Sequence, residues 1–160
     1  MTGLVIDLRD NPGGNLDTVC DILDLILPEG TIVSTKDKNG EGETYTSDEE
    51  HKLEIPLSVL TNGNSASASE IFAGAVQDYG VGTLVGTTTF GKGIVQQIFP
   101  LTDGTSIKLT ISEYFTPKGR NIHGTGIDPD VEVEYEYNEE DPAADNQLEK
   151  AIEIVKGNGM

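Results

Sequence analysis

The apolar and polar positions of this chain follow two periods, and each period predicts an element. Leu4, Val5, Ile6 and Leu8 form a nearly continuous apolar run, so residues 3–8 are predicted as a buried strand. Leu16, Val19, Cys20, Leu23, Ile26 and Leu27 then recur at helical spacing, with Asp17, Asp21 and Asp24 opposite. That pattern predicts an amphipathic helix from about Asn15, ended by Pro28 and Gly30. Residues 31–35 and 43–46 are predicted as a hairpin around Asn39-Gly40, and 56–60 as another short apolar strand. Ala68, Ile71, Phe72, Ala75, Val76 and Tyr79 share one face of a second helix. Residues 83–85 form a strand, and 93–99 with 105–115 a second hairpin turned at Asp103-Gly104. A stretch rich in Gly and Pro, 117–129, precedes a last strand near 131–133. An acidic linker, 139–145, then leads to a helix carrying Leu148, Ala151, Ile152 and Val155 on one side.

Strands and helices interleave, which predicts an α/β fold. The length of 160 residues and 36% hydrophobic content suit a single core, so residues 1–160 are read as one domain. There are no internal repeats.

Charge narrows the function classes. Ten basic residues against 28 acidic ones give a formal net charge of −18. Such a surface repels nucleic acid and anionic membranes. No segment approaches the roughly 20 apolar residues of a membrane-spanning helix. Cys20 is the sole cysteine, so no internal disulfide can form, and it falls on the apolar side of its helix. With only His51 and His123 besides, no metal site and no cofactor is expected. Met1-Thr2-Gly3 runs straight into the first strand without a leader, as expected of a core domain taken from a longer protein.

Two segments carry candidate chemistry. Ser65-Ala66-Ser67-Ala68-Ser69-Glu70 lies between a buried strand and a helix. A serine at such a turn can expose its hydroxyl while the free N–H groups of the helix N-terminus stabilise an oxyanion. Ser67 followed by Glu70 is equally a capping box, which needs no catalysis. The second segment is Gly91-Lys92-Gly93-Ile94-Val95-Gln96 at the start of a strand. Alternation puts Lys92 and Gln96 on one face, where Gln96 can hold the amine in line. A serine needs a base, and a lysine can serve as one when its surroundings desolvate it. An ordinary exposed lysine at a strand end is the plain alternative.

Other motifs fit less well. Gly86-Thr87-Thr88-Thr89-Phe90-Gly91-Lys92 matches a phosphate-binding loop, but Gly93 stands where Ser or Thr should hold magnesium, and a strand follows where a helix should. The acidic turn from Asp37 to Asp48 partly matches a calcium loop, yet lacks the terminal Glu and flanking helices.

Taken together, these segments resemble the C-terminal processing (tail-specific) serine peptidases. Leu8-Arg9-Asp10-Asn11-Pro12-Gly13-Gly14, the serine segment and Phe90-Gly91-Lys92-Gly93-Ile94-Val95-Gln96 carry the likeness. Tyr114-Phe115-Thr116-Pro117-Lys118-Gly119-Arg120, Gly126-Ile127-Asp128-Pro129-Asp130 and Asp145-Asn146-Gln147-Leu148 extend it across almost the whole chain. The resemblance implies the spiral α/β core of ClpP and crotonase-like proteins. It implies Ser67 as nucleophile, Lys92 (25 residues on) as general base and Gln96 as the residue orienting it. It implies an oxyanion hole from the backbone N–H groups of Gly13 and Ala68. Substrates would be proteins or peptides with apolar C-terminal tails, cleaved outside the cytoplasm. Family members carry N-terminal helices and a PDZ-type domain that this chain lacks. The rival from another class is a non-catalytic module of the same fold that binds apolar ligands.

Overall fold

The computed structural model describes residues 1–48, 50 and 52–157. His51 lies outside the described residues. Two four-stranded sheets organise the rest. The parallel sheet has the order β1 (Leu4–Asp7), β4 (Leu57–Thr61), β5 (Thr83–Gly86) and β8 (Val131–Glu132). The antiparallel sheet has the order β3 (Thr44–Ser47), β2 (Gly30–Lys36), β7 (Ser106–Phe115) and β6 (Ile94–Pro100). Helices α1 (Leu16–Asp24) and α2 (Ala68–Tyr79) pack on each other, while α3 (Asn146–Gly157) packs on β1, β4 and β5.

Side-chain alternation divides the apolar residues of β4 between two cores. Leu57 and Val59 join Val19, Leu23, Phe72 and Val76 of α1 and α2. Leu60 turns the other way, onto Val85 and Ala151 of α3. A parallel strand covered on both sides reads as an unbroken apolar run, which is why residues 57–60 contain so little polar sequence. The polar member, Ser58, is fully buried, and its hydroxyl finds no partner among the described residues.

The helices follow their predicted faces, with one shortened end. Asn15 caps α1 by accepting from the Thr18 N–H at 3.0 Å. The helix stops at Asp24, four residues before Pro28. Ile26 and Leu27 both donate backbone N–H bonds to the Leu23 carbonyl, closing a terminal turn that keeps both side chains buried. Helix α2 ends on Gly80 in the left-handed conformation, a C-terminal signal the periodicity alone did not mark.

The turn at Asp37 uses its carboxylate internally. Oδ1 accepts from the N–H groups of Asn39 and Glu41 at 2.8 and 2.9 Å, as in a solvated hairpin turn. Gly91-Lys92-Gly93 leads into β6, the strand the pattern predicted after that loop.

Candidate active site

The loop from β4 and the first turn of α2 give their three serines different surroundings. Ser65 is buried, and its hydroxyl donates to the Leu8 carbonyl at 2.7 Å. Ser69 is buried and donates to the Asn11 carbonyl at 3.1 Å. Ser67 is half-buried and stands at the N-cap of α2, where Glu70 closes a capping box on it. Its backbone sits at φ 58° and ψ −116°, a region L-residues avoid at a cost of about 1–3 kcal/mol. Asp10, on the facing loop, is the other described non-glycine residue with positive φ (56°). Backbone strain thus concentrates on the two loops that meet here.

Glu70 joins Ser67 to the lysine. Its side chain is 0% exposed and accepts four hydrogen bonds. Oε2 takes the backbone N–H of Ser67 at 2.9 Å and that of Lys92 at 2.8 Å. Oε1 takes the Thr89 hydroxyl at 2.6 Å and the Gly91 N–H at 2.7 Å. Four bonds fill the acceptor capacity of a carboxylate, which makes its complete burial tolerable. Two donors sharing one acceptor oxygen sit within roughly 6 Å of each other. The main chains of Ser67 and Lys92 are therefore neighbours. The sequence showed Glu70 only as one half of a capping box, and Thr89 only inside the poorly fitting phosphate-loop match. The other two donating backbones lie over 20 residues away, and nothing in a local pattern marks them.

Gly13 and Ala68 also converge. A Cβ placed on Gly13 would lie 2.5 Å from the Ala66 carbonyl oxygen and 2.8 Å from the Ala68 nitrogen. Only glycine allows that approach, and its φ of 97° favours glycine independently. Ala68 is the first residue of α2, so its N–H has no intrahelical acceptor. The Gly13 N–H, by contrast, donates to Asn11 Oδ1 at 2.9 Å. Asn11 itself is pinned through its carbonyl, which accepts from the Ala66 N–H at 3.0 Å. Sequence reasoning missed this side-chain contact with one of the two expected oxyanion donors.

Lys92 is half-buried beside a cleft of about 420 Å³ lined by Asp10, Pro12, Asn64, Ala66 and Phe90. Among the described residues no ion pair engages Nζ, and no hydrogen bond joins it to Ser67 Oγ. Gln96 is exposed, and its Nε2 approaches Thr110 Oγ1 at 3.4 Å. At this point the β7 partner skips from Ser112 to Thr110, leaving Ile111 opposite the step. The expected Lys92–Gln96 contact is not among the hydrogen bonds of the described residues.

Charged groups brace the surrounding loops. Hydrogen bonds from Asn64 and Asn62 hold the Asp10 carboxyl below the usual carboxylate range. Arg9 pairs with Asp7 and Asp145, both at 2.7 Å, and donates to Gln147 at 2.9 Å. This ties the loop after β1 to the start of α3. The hydrogen bonds to Asp7 and Asp145 raise the Arg9 guanidinium well above its ordinary value.

A parallel sheet between helices, with an antiparallel sheet carrying a long hairpin, is the ClpP-like α/β fold. Peptidase family S41 matches residues 1–133, and the chain belongs to that family, which contains the carboxyl-terminal processing proteases. The carboxyl-terminal-processing protease of Synechocystis sp. is 46% identical over 158 residues, covering 97% of this chain and 37% of the relative. Carboxy-terminal processing protease CtpB of Bacillus subtilis is 45% identical over 132 residues, covering 82% of this chain and 28% of the relative. The solved photosystem II D1 C-terminal processing protease superposes with a TM-score of 0.79 at 36% identity, covering 84% of this chain and 35% of that one. The chain thus spans about a third of the length of these relatives.

Proposed function

We propose that the site performs peptide-bond cleavage by acyl transfer, with Ser67 as nucleophile and Lys92 as base. Ser67 Oγ bonds to the scissile carbonyl carbon while its proton passes to Lys92 Nζ. The C–N bond breaks, and Lys92 returns the proton to the leaving amine. Water then attacks the ester, Lys92 takes a proton from it, and Ser67 regains its hydroxyl. The Ala68 N–H stabilises the oxyanion. The Gly13 N–H joins it once the Asn11 carboxamide gives way.

The observation that carries this reading is Glu70 Oε2, which accepts from the backbones of both Ser67 and Lys92. A nucleophile and base on separate elements need a common anchor, and this oxygen provides one. The strained, partly exposed Ser67 between two buried, engaged serines supports the same assignment. The missing side-chain contact between Ser67 and Lys92 is consistent with a site that closes on substrate, since such bonds are often long in free enzymes. Gln96 would orient Lys92 only in that closed arrangement. The substrates in this reading are proteins with apolar C-terminal tails, met outside the cytoplasm.

The test is turnover of apolar-tailed peptides by the full-length protein and its Ser67→Ala variant. Loss of at least roughly 10³-fold in kcat/KM is expected for the variant. Equal turnover by the two proteins would reject the assignment. Stoichiometric binding of an apolar ligand without hydrolysis would favour the non-catalytic module.

A further inference from the structure

Asp10 brings a fixed negative charge to the cleft it shares with Lys92. Its backbone N–H donates to Asn62 Oδ1 at 3.0 Å. Its Oδ1 accepts from the side-chain amides of Asn62 and Asn64, at 3.1 and 2.8 Å. Among the described residues Oδ2 accepts no hydrogen bond. The neighbouring cation, Arg9, is committed to Asp7 and Asp145. Asp10 thus presents an ionised carboxylate with one free oxygen, on a backbone held at φ 56°. Phe90, 64% exposed, lines the same cleft with Pro12 and Ala66.

The order of proton transfers says which part of a substrate meets this cleft. Lys92 hands its proton to the leaving amine, so the leaving segment begins on the Lys92 side of Ser67. The first side chain of that segment then faces the cleft of about 420 Å³. Lys92 is neutral when it takes the Ser67 proton, which leaves Asp10 as the charged group of the lining. We propose that Asp10 and Phe90 form a subsite for the first residue of the leaving segment, and that it selects arginine or lysine. This rests on the acyl-transfer reading above and deepens it.

A long aliphatic stem ending in a cation suits both features of the lining. The stem or the cation itself can lie on the Phe90 ring, and the head can give Asp10 Oδ2 the donor it lacks. An uncharged chain of similar length would touch Phe90 and leave the carboxylate unused. A glutamate would face Asp10 as a like charge, and the net charge of −18 adds to that repulsion. Asp10→Asn separates charge from shape. An asparagine Oδ1 still accepts from both amides, and asparagine tolerates positive φ. Phe90 is exposed enough that its truncation spares the core.

The experiment uses the full-length protein and peptides varied only at the first leaving residue (Arg, Lys, norleucine, Glu), with cleavage positions read from product masses. Arginine and lysine are expected to exceed norleucine in kcat/KM by about fivefold, and glutamate to fall below it by a similar factor. Asp10→Asn should bring the arginine-to-norleucine ratio down to about twofold or less. Phe90→Ala should lower the arginine and norleucine peptides together and keep the gap between arginine and glutamate. Thermal melts check that both variants fold. Raising salt to about 0.5 M in the native protein should shrink the arginine preference, a readout that needs no variant. Ser67-dependent cleavage that ignores the leaving residue, or a preference that survives both salt and a folded Asp10→Asn, would overturn this proposal and leave the acyl-transfer reading intact. Cleavage that survives Ser67→Ala, or no cleavage of any peptide, would overturn both.

Discussion

Every residue of β4 in the parallel sheet is buried, whereas β6 from Gln96 onward and β7 as far as Ile111 are exposed. The two regions supply the two halves of the proposed site. Ser67 follows β4 through a short loop, and Lys92 stands at the root of the hairpin formed by β6 and β7. The proposed nucleophile thus follows a strand buried throughout, and the proposed base precedes a largely exposed pair. The difference shows why a buried carboxylate is placed between them. Packing can position Ser67, but little packing is available to position Lys92. Hydrogen bonds from Gly91 and Lys92 to Glu70 do that instead.

Removing the carboxylate is the most direct way to break this arrangement. Glu70→Ala would leave four donors without their acceptor and is expected to cost about 4 kcal/mol in urea unfolding. Hydrogen exchange should show the loss first in the Gly91 and Lys92 amides, ahead of β4. If β4 opens as early as the hairpin root, the two regions are not separately supported.

A paired truncation sharpens the comparison. Leu60 is 0% exposed and Leu109 is 49% exposed. Leu60→Ala should cost about 3 kcal/mol, and Leu109→Ala about 0.5 kcal/mol or less, in the same denaturation experiment. Similar costs at both positions would mean that the hairpin is covered in the protein as tested.

The smallest effect expected is an acid-sensitive contribution from the clamp at α3. The hydrogen bond from Arg9 holds the Asp145 carboxyl below its ordinary value. A lowered folded-state value means that the contribution is full above the ordinary aspartate range, near pH 4. It is lost as pH falls through the folded-state value. Below pH 4 the melting temperature of the native protein should therefore fall more steeply than that of Asp145→Asn. Parallel curves would remove Asp145 from the account.

Most element positions were legible because burial imposes a period on the sequence. The short, largely apolar run at residues 56–60 and the helical spacing from Ala68 to Tyr79 marked a strand and a helix. Ser67 and Lys92 were legible only as parts of motifs that resemble a family, since either alone has a plain structural reading. What stayed hidden consists of long-range hydrogen bonds. Glu70 bridges two loops and Asn11 engages the Gly13 N–H, but neither contact has a sequence period. Arg9 and the Asp145-Asn146-Gln147-Leu148 motif were each visible, while their pairing across 136 residues was not. The step opposite Ile111 escaped for a similar reason, because alternation along one strand says nothing about the partner's register.

The two adjacent glycines of the first loop differ in a way that matters to anyone building a mutant library. Gly13 is closed to variation, because any side chain would strike the backbone at Ala66 and Ala68. Gly14 has nothing within 4 Å of where a Cβ would stand, and it opens onto a cleft of about 430 Å³ walled by Ile6, Leu8, Val19 and Phe72. Diversity spent on Gly13 returns misfolded clones. The same diversity at Gly14 meets no neighbouring atom, so this single codon is where a library can vary the loop and keep the fold.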